Sequence, residues 1–243
     1  MARDELLSGG LARGGPALAV RAHGWLRPTL STGRLQALPG ELAEQARELG
    51  VDVVRRPTGG GWLLHLPGDL AVTLAVAGPL RAGEFRRAAR LVAGALARGL
   101  AGCGLPAAVF TGSAPPARAA ACFLRADRDE VVVGGTKVAG VALARQGRGA
   151  VVQSALPLVR EPEALREFAR AWDPARQLAA DALAGAPRDR LWEETVAALA
   201  SAAGAERGPA AWTADLLREA DDLREAKYLD EEFTRSGRAA VTR

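Results

Sequence analysis

Cysteine, histidine, lysine and long apolar runs are all scarce in this chain, and each scarcity closes off a class of function. The 243 residues hold two cysteines, Cys103 and Cys122, and two histidines, His23 and His65. Neither pair has CxxC or Cys/His ligand spacing, so a disulfide framework is excluded and no metal site is expected. The longest apolar stretch, Leu70 to Leu80, contains Thr73 and is broken by Gly78 and Pro79. It falls short of the roughly 20 residues that a membrane span needs. Asp4 and Glu5 stand where the apolar core of a signal peptide would begin, so the expectation is a soluble, cytoplasmic protein with no membrane partner. Runs of five or six like charges are also missing, which argues against a nucleic-acid partner.

Hydrophobic residues make up 49% and charged residues 25%, which fits an ordinary globular chain and excludes disorder or coiled coil for the whole of it. The length allows one large core, and a single domain spanning 1–243 is expected, helical from about residue 160 onward. The net charge is +4, but of the 32 basic residues only Lys137 and Lys227 are lysines. That skew follows the Ala, Gly, Leu and Val excess of a GC-rich coding bias, so arginine content by itself says little. No interface stripe stands out, and a monomer is the default expectation.

Periodicity alternates strands and helices. Strand-like runs are Leu18 to Ala22, Val51 to Val54, Trp62 to His65, Leu70 to Ala77, Ala107 to Phe110, Glu130 to Val133, Val138 to Ala144 and Ala150 to Leu156. Helical stripes run through Glu41 to Leu49, Gly83 to Leu100, Ala164 to Trp172, Leu191 to Ala202 and Trp212 to Lys227. Thr111 to Arg118 reads as an exposed loop, and the chain frays from about Ser236. The fold class expected is mixed α/β (α+β): largely antiparallel sheets packed with helices, closing in a helical segment.

Three segments depart from ordinary patterning. Arg55-Arg56-Pro57-Thr58-Gly59-Gly60-Gly61-Trp62 leads to His65 and Gly68-Asp69-Leu70. Consecutive glycines let a backbone approach a ligand closely, and the arginines and His65 would add polar anchors; a glycine hairpin with solvated arginines is the alternative. Gly134-Gly135-Thr136-Lys137-Val138-Ala139-Gly140 puts a lysine at the start of a strand. In a chain that otherwise uses arginine, it is either a turn residue or a compact ammonium with a task. Ala121-Cys122-Phe123 holds a cysteine that is either core filler or nucleophile, whereas Cys103, between two glycines at a helix end, reads as filler.

Together these segments resemble the lipoate–protein ligase and octanoyltransferase family, whose catalytic domain shares the fold of biotin–protein ligases. Residues 55 to 70 follow the pattern Arg-Arg-x-Ser/Thr-Gly-Gly-Gly-x-x-x-His-x-x-Gly-Asn-Leu except at Asp69. The element Gly-x-Lys-Ile/Val-x-Gly-Ser-Ala is matched by Gly135, Lys137, Val138, Gly140 and Ala142. Met1 to Glu5, Trp25 to Gln36 and Glu225 to Arg235 extend the likeness over nearly the whole chain. It departs at Val141 and Leu143, where relatives carry Ser and Gln, and at Ser154, where octanoyltransferases carry His and an amidotransferase branch does not.

The resemblance implies an acyltransferase of protein lipoylation. An octanoyl group would pass from acyl carrier protein, or from a glycine-cleavage H protein, through a Cys122 thioester to a lysine of a lipoyl domain on an H protein or dehydrogenase E2 subunit. Catalysis falls to Cys122 and Lys137, the lysine favouring the thiolate and polarising the thioester carbonyl. Substrate binding falls to Arg56, Thr58, Gly59, Gly60, Gly61, His65, Asp69, Gly140 and Ala142, with the strands around Trp62 and Leu70 to Leu74 lining a tunnel for the acyl chain. No cofactor is implied. ATP and magnesium enter only under the alternative of an ATP-dependent ligase, and a binder without turnover is a third possibility. Acidic protein partners of this kind suit a chain at +4.

Overall fold

A computed structural model describes residues 1–11, 17–78, 80–112, 121–124, 126–146, 149–206, 208 and 212–236. The loop expected over Thr111 to Arg118 falls outside these residues from position 113, and the frayed end from position 237. In chain order the elements begin α1 (Ala2–Leu11), β1 (Leu18–His23), β2 (Thr29–Thr32), α2 (Gly40–Glu48), β3 (Asp52–Arg55), β4 (Leu63–His65) and β5 (Leu70–Val76). They continue as α3 (Ala82–Gly102), β6 (Ala107–Val109), β7 (Val131–Val133), β8 (Thr136–Gln146) and β9 (Gly149–Leu156). After a 3-10 turn at Glu163–Leu165 come α4 (Arg166–Trp172), α5 (Arg176–Ala182), α6 (Arg188–Ala203), α7 (Ala214–Leu223), a π turn (Arg224–Tyr228) and α8 (Glu231–Ser236).

The larger sheet runs β1-β5-β9-β8-β7-β6, antiparallel throughout. A smaller sheet, β3-β2-β4, is mixed: β2 is parallel to β3 and antiparallel to β4. The apolar stripe of α3 explains the main core. Ala88, Val92, Ala95, Leu96 and Leu100 are buried against Leu70, Val72, Leu74, Val152 and Leu156 of the large sheet. Each side chain of that size contributes about 1.5–3 kcal/mol when fully withdrawn from water. Leu30, Leu42, Trp62, Leu64 and Phe168 form a second core behind the small sheet.

Two elements escape the periodicity reading for physical reasons. Strand β2 is polar in sequence yet buried throughout, because its hydroxyls find partners indoors: Ser31 Oγ lies 2.7 Å from His65 Nε2, and Thr32 Oγ1 donates to Gln36 Oε1 at 3.2 Å. Helix α1 carries two glycines and no apolar stripe. Its buried residue Asp4 accepts instead from Arg21 Nη1 and, at 3.0 Å, from Gln153 Nε2. Helices α5 and α8 are too short to declare a stripe of their own, but both lie in the segment expected to be helical, α8 within the closing helix implied over Glu225 to Arg235.

The last described residues fold back onto the first. Lys227 Nζ pairs with Glu5 Oε2 at 2.8 Å, tying the π turn to α1. Arg55, fully buried, donates to the carbonyls of Gly33 (2.6 Å) and Gln36 (2.7 Å) on one side, and of Phe233 (3.0 Å) and Arg235 (2.9 Å) on the other. No helix among the described residues is long and apolar enough to cross a membrane.

Candidate active site

The glycine segment leaves β3, turns and enters β4, and a buried guanidinium holds it in shape. Arg56 Nη2 donates to Gly59 O (3.0 Å) and Gly61 O (2.7 Å), while Nη1 donates to Ser31 O (2.9 Å) and Ser31 Oγ (2.7 Å). Gly33 lets the loop seat: a Cβ there would lie 2.0 Å from Gly60 O, closer than any real contact. Thr58, also buried, donates to Gln153 Oε1 at 2.7 Å and fastens the loop to β9. His65 stacks on Trp25 with ring centroids 4.1 Å apart, and burial, with the Arg56 charge second, holds its imidazole well below the ordinary histidine range.

Cys122 is pinned to this loop from the other side. Its amide donates to Trp62 O at 3.0 Å, next to a bridge between Trp62 and Ala121. Its side chain meets the lysine strand at Gly140. A Cβ built on that glycine would stand 2.9 Å from Cys122 Sγ, 3.4 Å from Glu130 Oε1 and 3.5 Å from Lys137 Cε. Lys137 Nζ pairs with Glu130 Oε2 at 2.7 Å, so thiol, ammonium and carboxylate converge on one point of backbone that only glycine leaves open. Burial pushes the Cys122 thiol up; Lys137 and then Arg56 pull it down, while Glu130 and Asp173 push it further up. Burial thus opposes the thiolate that the lysine favours. Asp173 accepts from Leu64 N at 3.2 Å, and burial raises its carboxyl to about 7.

A cavity of about 260 Å³ opens beside this cluster. One rung of the large sheet forms its floor: His23 pairs with Ala71, Ala71 with Ala155, and Ala155 with Gly140. Three strand spacings of about 4.8 Å set the rung's length at about 14 Å, with no side chain larger than methyl between its two ends. At the cysteine end stand Cys122, Phe123 and Glu130; at the other stand His23 and Trp25. His23 Nδ1 and Trp25 Nε1 are buried with no hydrogen-bond partner among the described residues. Burial lowers His23 to about 4, with the Asp4 carboxylate the main opposing influence.

Of the residues expected from the sequence, Arg56, Gly59, Gly60, His65, Cys122, Gly140 and Ala142 line this cavity. Lys137 reaches it through Glu130, while Thr58 and Gly61 act from behind, through the loop. Asp69 does not line it, and the expectation that it binds substrate is corrected. Its Oδ1 accepts from Leu158 N (2.9 Å), and its Oδ2 from Leu66 N (2.8 Å) and Arg176 Nη2 (2.6 Å), inside a buried cluster that includes Glu161. Burial raises its carboxyl, with Arg176 the main opposing influence. The strands expected to line a tunnel, around Trp62 and Leu70 to Leu74, do border the cavity, through Leu63, Ala71 and Thr73. Trp62, Leu70, Val72 and Leu74 face the two cores, and the alternate residues Ala71 and Thr73 face the cavity. Arg55, read as a possible anchor, is committed to backbone carbonyls. Sequence reasoning missed Glu130, Gln153, His23 and Trp25. For Glu130 a signal existed: a hairpin turning at Gly134–Gly135 sets a carboxylate just before β7 opposite the strand that carries Lys137.

Comparison with known proteins places these features in context. The family described as the lipoyl protein ligase A/B catalytic domain matches residues 18–190. Octanoyltransferase LipM of Symbiobacterium thermophilum is 33% identical, over 94% of this chain and 90% of that protein. Octanoyltransferase LipM of Kyrpidia tusciae is 34% identical, over 96% and 92%. Among solved structures, lipoate-protein ligase A bound with ATP superposes with a TM-score of 0.77 at 18% identity, covering 98% of this chain and 93% of its own. The putative lipoate protein ligase Ta0514 of T. acidophilum gives 0.73 at 17%, covering 98% and 94%. At such identities the two structures share the fold with this chain.

Proposed function

Because the chain belongs to the lipoyl protein ligase A/B catalytic domain family, we propose that it is an octanoyltransferase of protein lipoylation that works through a Cys122 thioester. The observation that carries the cysteine route is the convergence of Cys122, Lys137 and Glu130 on Gly140, at the mouth of a cavity floored by small residues. The donor is the octanoyl thioester of acyl carrier protein, with an octanoyl H protein as the second choice. The acceptor is a lysine amine of a lipoyl domain.

Cys122 loses its proton and attacks the thioester carbonyl. The new carbon–sulfur bond forms as the donor's carbon–sulfur bond breaks, and the donor leaves as a thiol with that proton. Lys137 donates a hydrogen bond to the carbonyl oxygen while negative charge gathers there. The acceptor amine then attacks the Cys122 thioester, an amide forms, and the sulfur recovers a proton from the amine. A thioester is already activated, so the sequence of steps needs no ATP. The cavity beside Cys122 takes the acyl chain, with Ala71, Ala155 and Gly140 beneath it. The Arg56-held glycine loop fixes the carbonyl end.

The test is intact-protein mass spectrometry after incubation with octanoyl-acyl carrier protein and no ATP, on the wild type and Cys122→Ala. An octanoyl adduct on the wild type alone, discharged by a lipoyl domain, is expected. No adduct from either carrier protein or H protein, together with activity that requires ATP and free lipoate, would replace this reading with a ligase.

A further inference from the structure

Glu130 has no part in the reaction as written above, yet it pairs with Lys137 and borders the same point of Gly140 as Cys122. Its Oε2 accepts from Asp127 N at 2.6 Å and pairs with Lys137 Nζ at 2.7 Å. Its Oε1 points the other way, into the cavity, where it and Cys122 Sγ both lie within 3.4 Å of the place a Gly140 Cβ would occupy. A carboxylate needed only to brace the hairpin would have both oxygens spent on the hairpin. Here one oxygen does the bracing, and the second stands against Gly140, where the Cys122 sulfur also comes close.

We infer that Glu130 is a positioning residue for acyl transfer: it anchors the Lys137 ammonium and keeps Cys122 a thiol until a thioester carbonyl arrives to share that ammonium. The inference rests on Cys122 being the nucleophile of the proposed transfer. The charged groups facing the sulfur are Lys137 from β8, Arg56 after β3, Glu130 before β7 and Asp173 after α4. Two cations oppose two acids in a buried site, and Glu130 is the acid bonded to the nearer cation. An entering carbonyl oxygen offers Lys137 a new acceptor, draws the ammonium toward the reacting centre and loosens its hold on the carboxylate. The thiol then gives up its proton, which leaves on the donor's sulfur as in the transfer above, only where the sulfur can react and not where an oxidant could reach it.

Glu130→Gln separates this role from bracing. An amide oxygen in the Oε2 position keeps the bonds from Asp127 and Lys137, while the charge facing the sulfur is lost. The measurement is the rate of iodoacetamide alkylation of Cys122 against pH, in a Cys103→Ser background so that one thiol reports. The wild-type midpoint is expected above that of a free thiol, about 8.5, and Glu130→Gln should lower it by about one unit, raising alkylation at pH 7 about tenfold. Asp173 titrates in both proteins and cancels from the comparison. A Glu130→Gln profile that overlays the wild type, or lies above it, overturns the inference. A wild-type midpoint below that of a free thiol overturns it without any variant. Alkylation needs no acyl donor, so the result stands apart from whether carrier protein is the true donor.

Discussion

Replacing Gly140 by alanine adds one methyl group at the point where thiol, ammonium and carboxylate meet. The backbone tolerates the change, because Gly140 is not among the glycines with positive φ. The unfolded chain loses freedom, which stabilises by about 0.4–1 kcal/mol. Against this, the new Cβ sits 2.9 Å from Cys122 Sγ, and overpacking of this kind costs about 1–3 kcal/mol. The difference leaves a folded protein whose melting temperature falls by a few degrees. Activity should suffer far more. The sulfur must retreat by several tenths of an ångström, and a misplacement approaching 1 Å costs about 100-fold in rate. The assay follows octanoyl-enzyme formation by intact mass over time, beside a thermal melt. Gly94→Ala, in α3 with nothing within 4 Å of the added methyl, is the matched control: it should stabilise by about 0.5–1 kcal/mol and acylate normally. A Gly140→Ala protein that melts within a few degrees of the wild type and acylates at the wild-type rate would refute the reasoning.

Gly33→Ala drives a methyl into Gly60 O at 2.0 Å, a backbone clash no rotamer relieves; the melting temperature should drop by about 10 °C or the protein fail to fold, read by thermal melt. Burial raises the Asp173 carboxyl to about 7 in the folded chain, against 3.8 for a free aspartate, so the folded state binds the extra proton, and its stability falls as pH rises from about 4 to about 7. Asp173→Asn should match the wild type near pH 4 and exceed its melting temperature at pH 8; parallel curves across that range would count against it. Ala155→Val raises the cavity floor midway along the rung and should shift the ratio of hexanoyl to octanoyl acylation by about tenfold toward the shorter chain, measured with the two carrier-protein thioesters in competition. Asp69→Asn removes the charge that pairs with buried Arg176 and should cost about 3 kcal/mol by denaturant titration.

Much of this arrangement was legible in the residues. Every run read as a strand overlaps one, and the stripe of α3 faces the core it implied. The glycine loop, Cys122 and the lysine strand do meet. What failed was facing. Leu70 to Val76 is an apolar run without alternation, and such a run does not declare which of its two faces meets a helix and which a cavity. Only the register against β9 assigns Ala71 and Thr73 to one side and Leu70, Val72 and Leu74 to the other. Strand β2 failed for the opposite reason, since its polarity argues for exposure until Arg56 and His65 are known to supply its partners. Glu130 and Asp69 show the same limit for charges. One looked like a strand edge and serves the site; the other looked like part of a binding motif and serves the scaffold.

Arg55 carries a consequence for the order in which the molecule forms. The carbonyls it grips at one end, those of Phe233, Thr234 and Arg235, lie 178 to 180 positions away in the chain. Its immediate neighbour Arg56 shapes the glycine loop, so the bracket around that loop is completed by residues made as many as 180 positions later. Closing so long a loop is slow, and contacts of such high sequence separation come late in folding. A nascent chain therefore carries its cysteine, lysine and glycines for most of its synthesis without the brace that sets them. Docking of α8 is thus the step that completes the frame around the glycine loop.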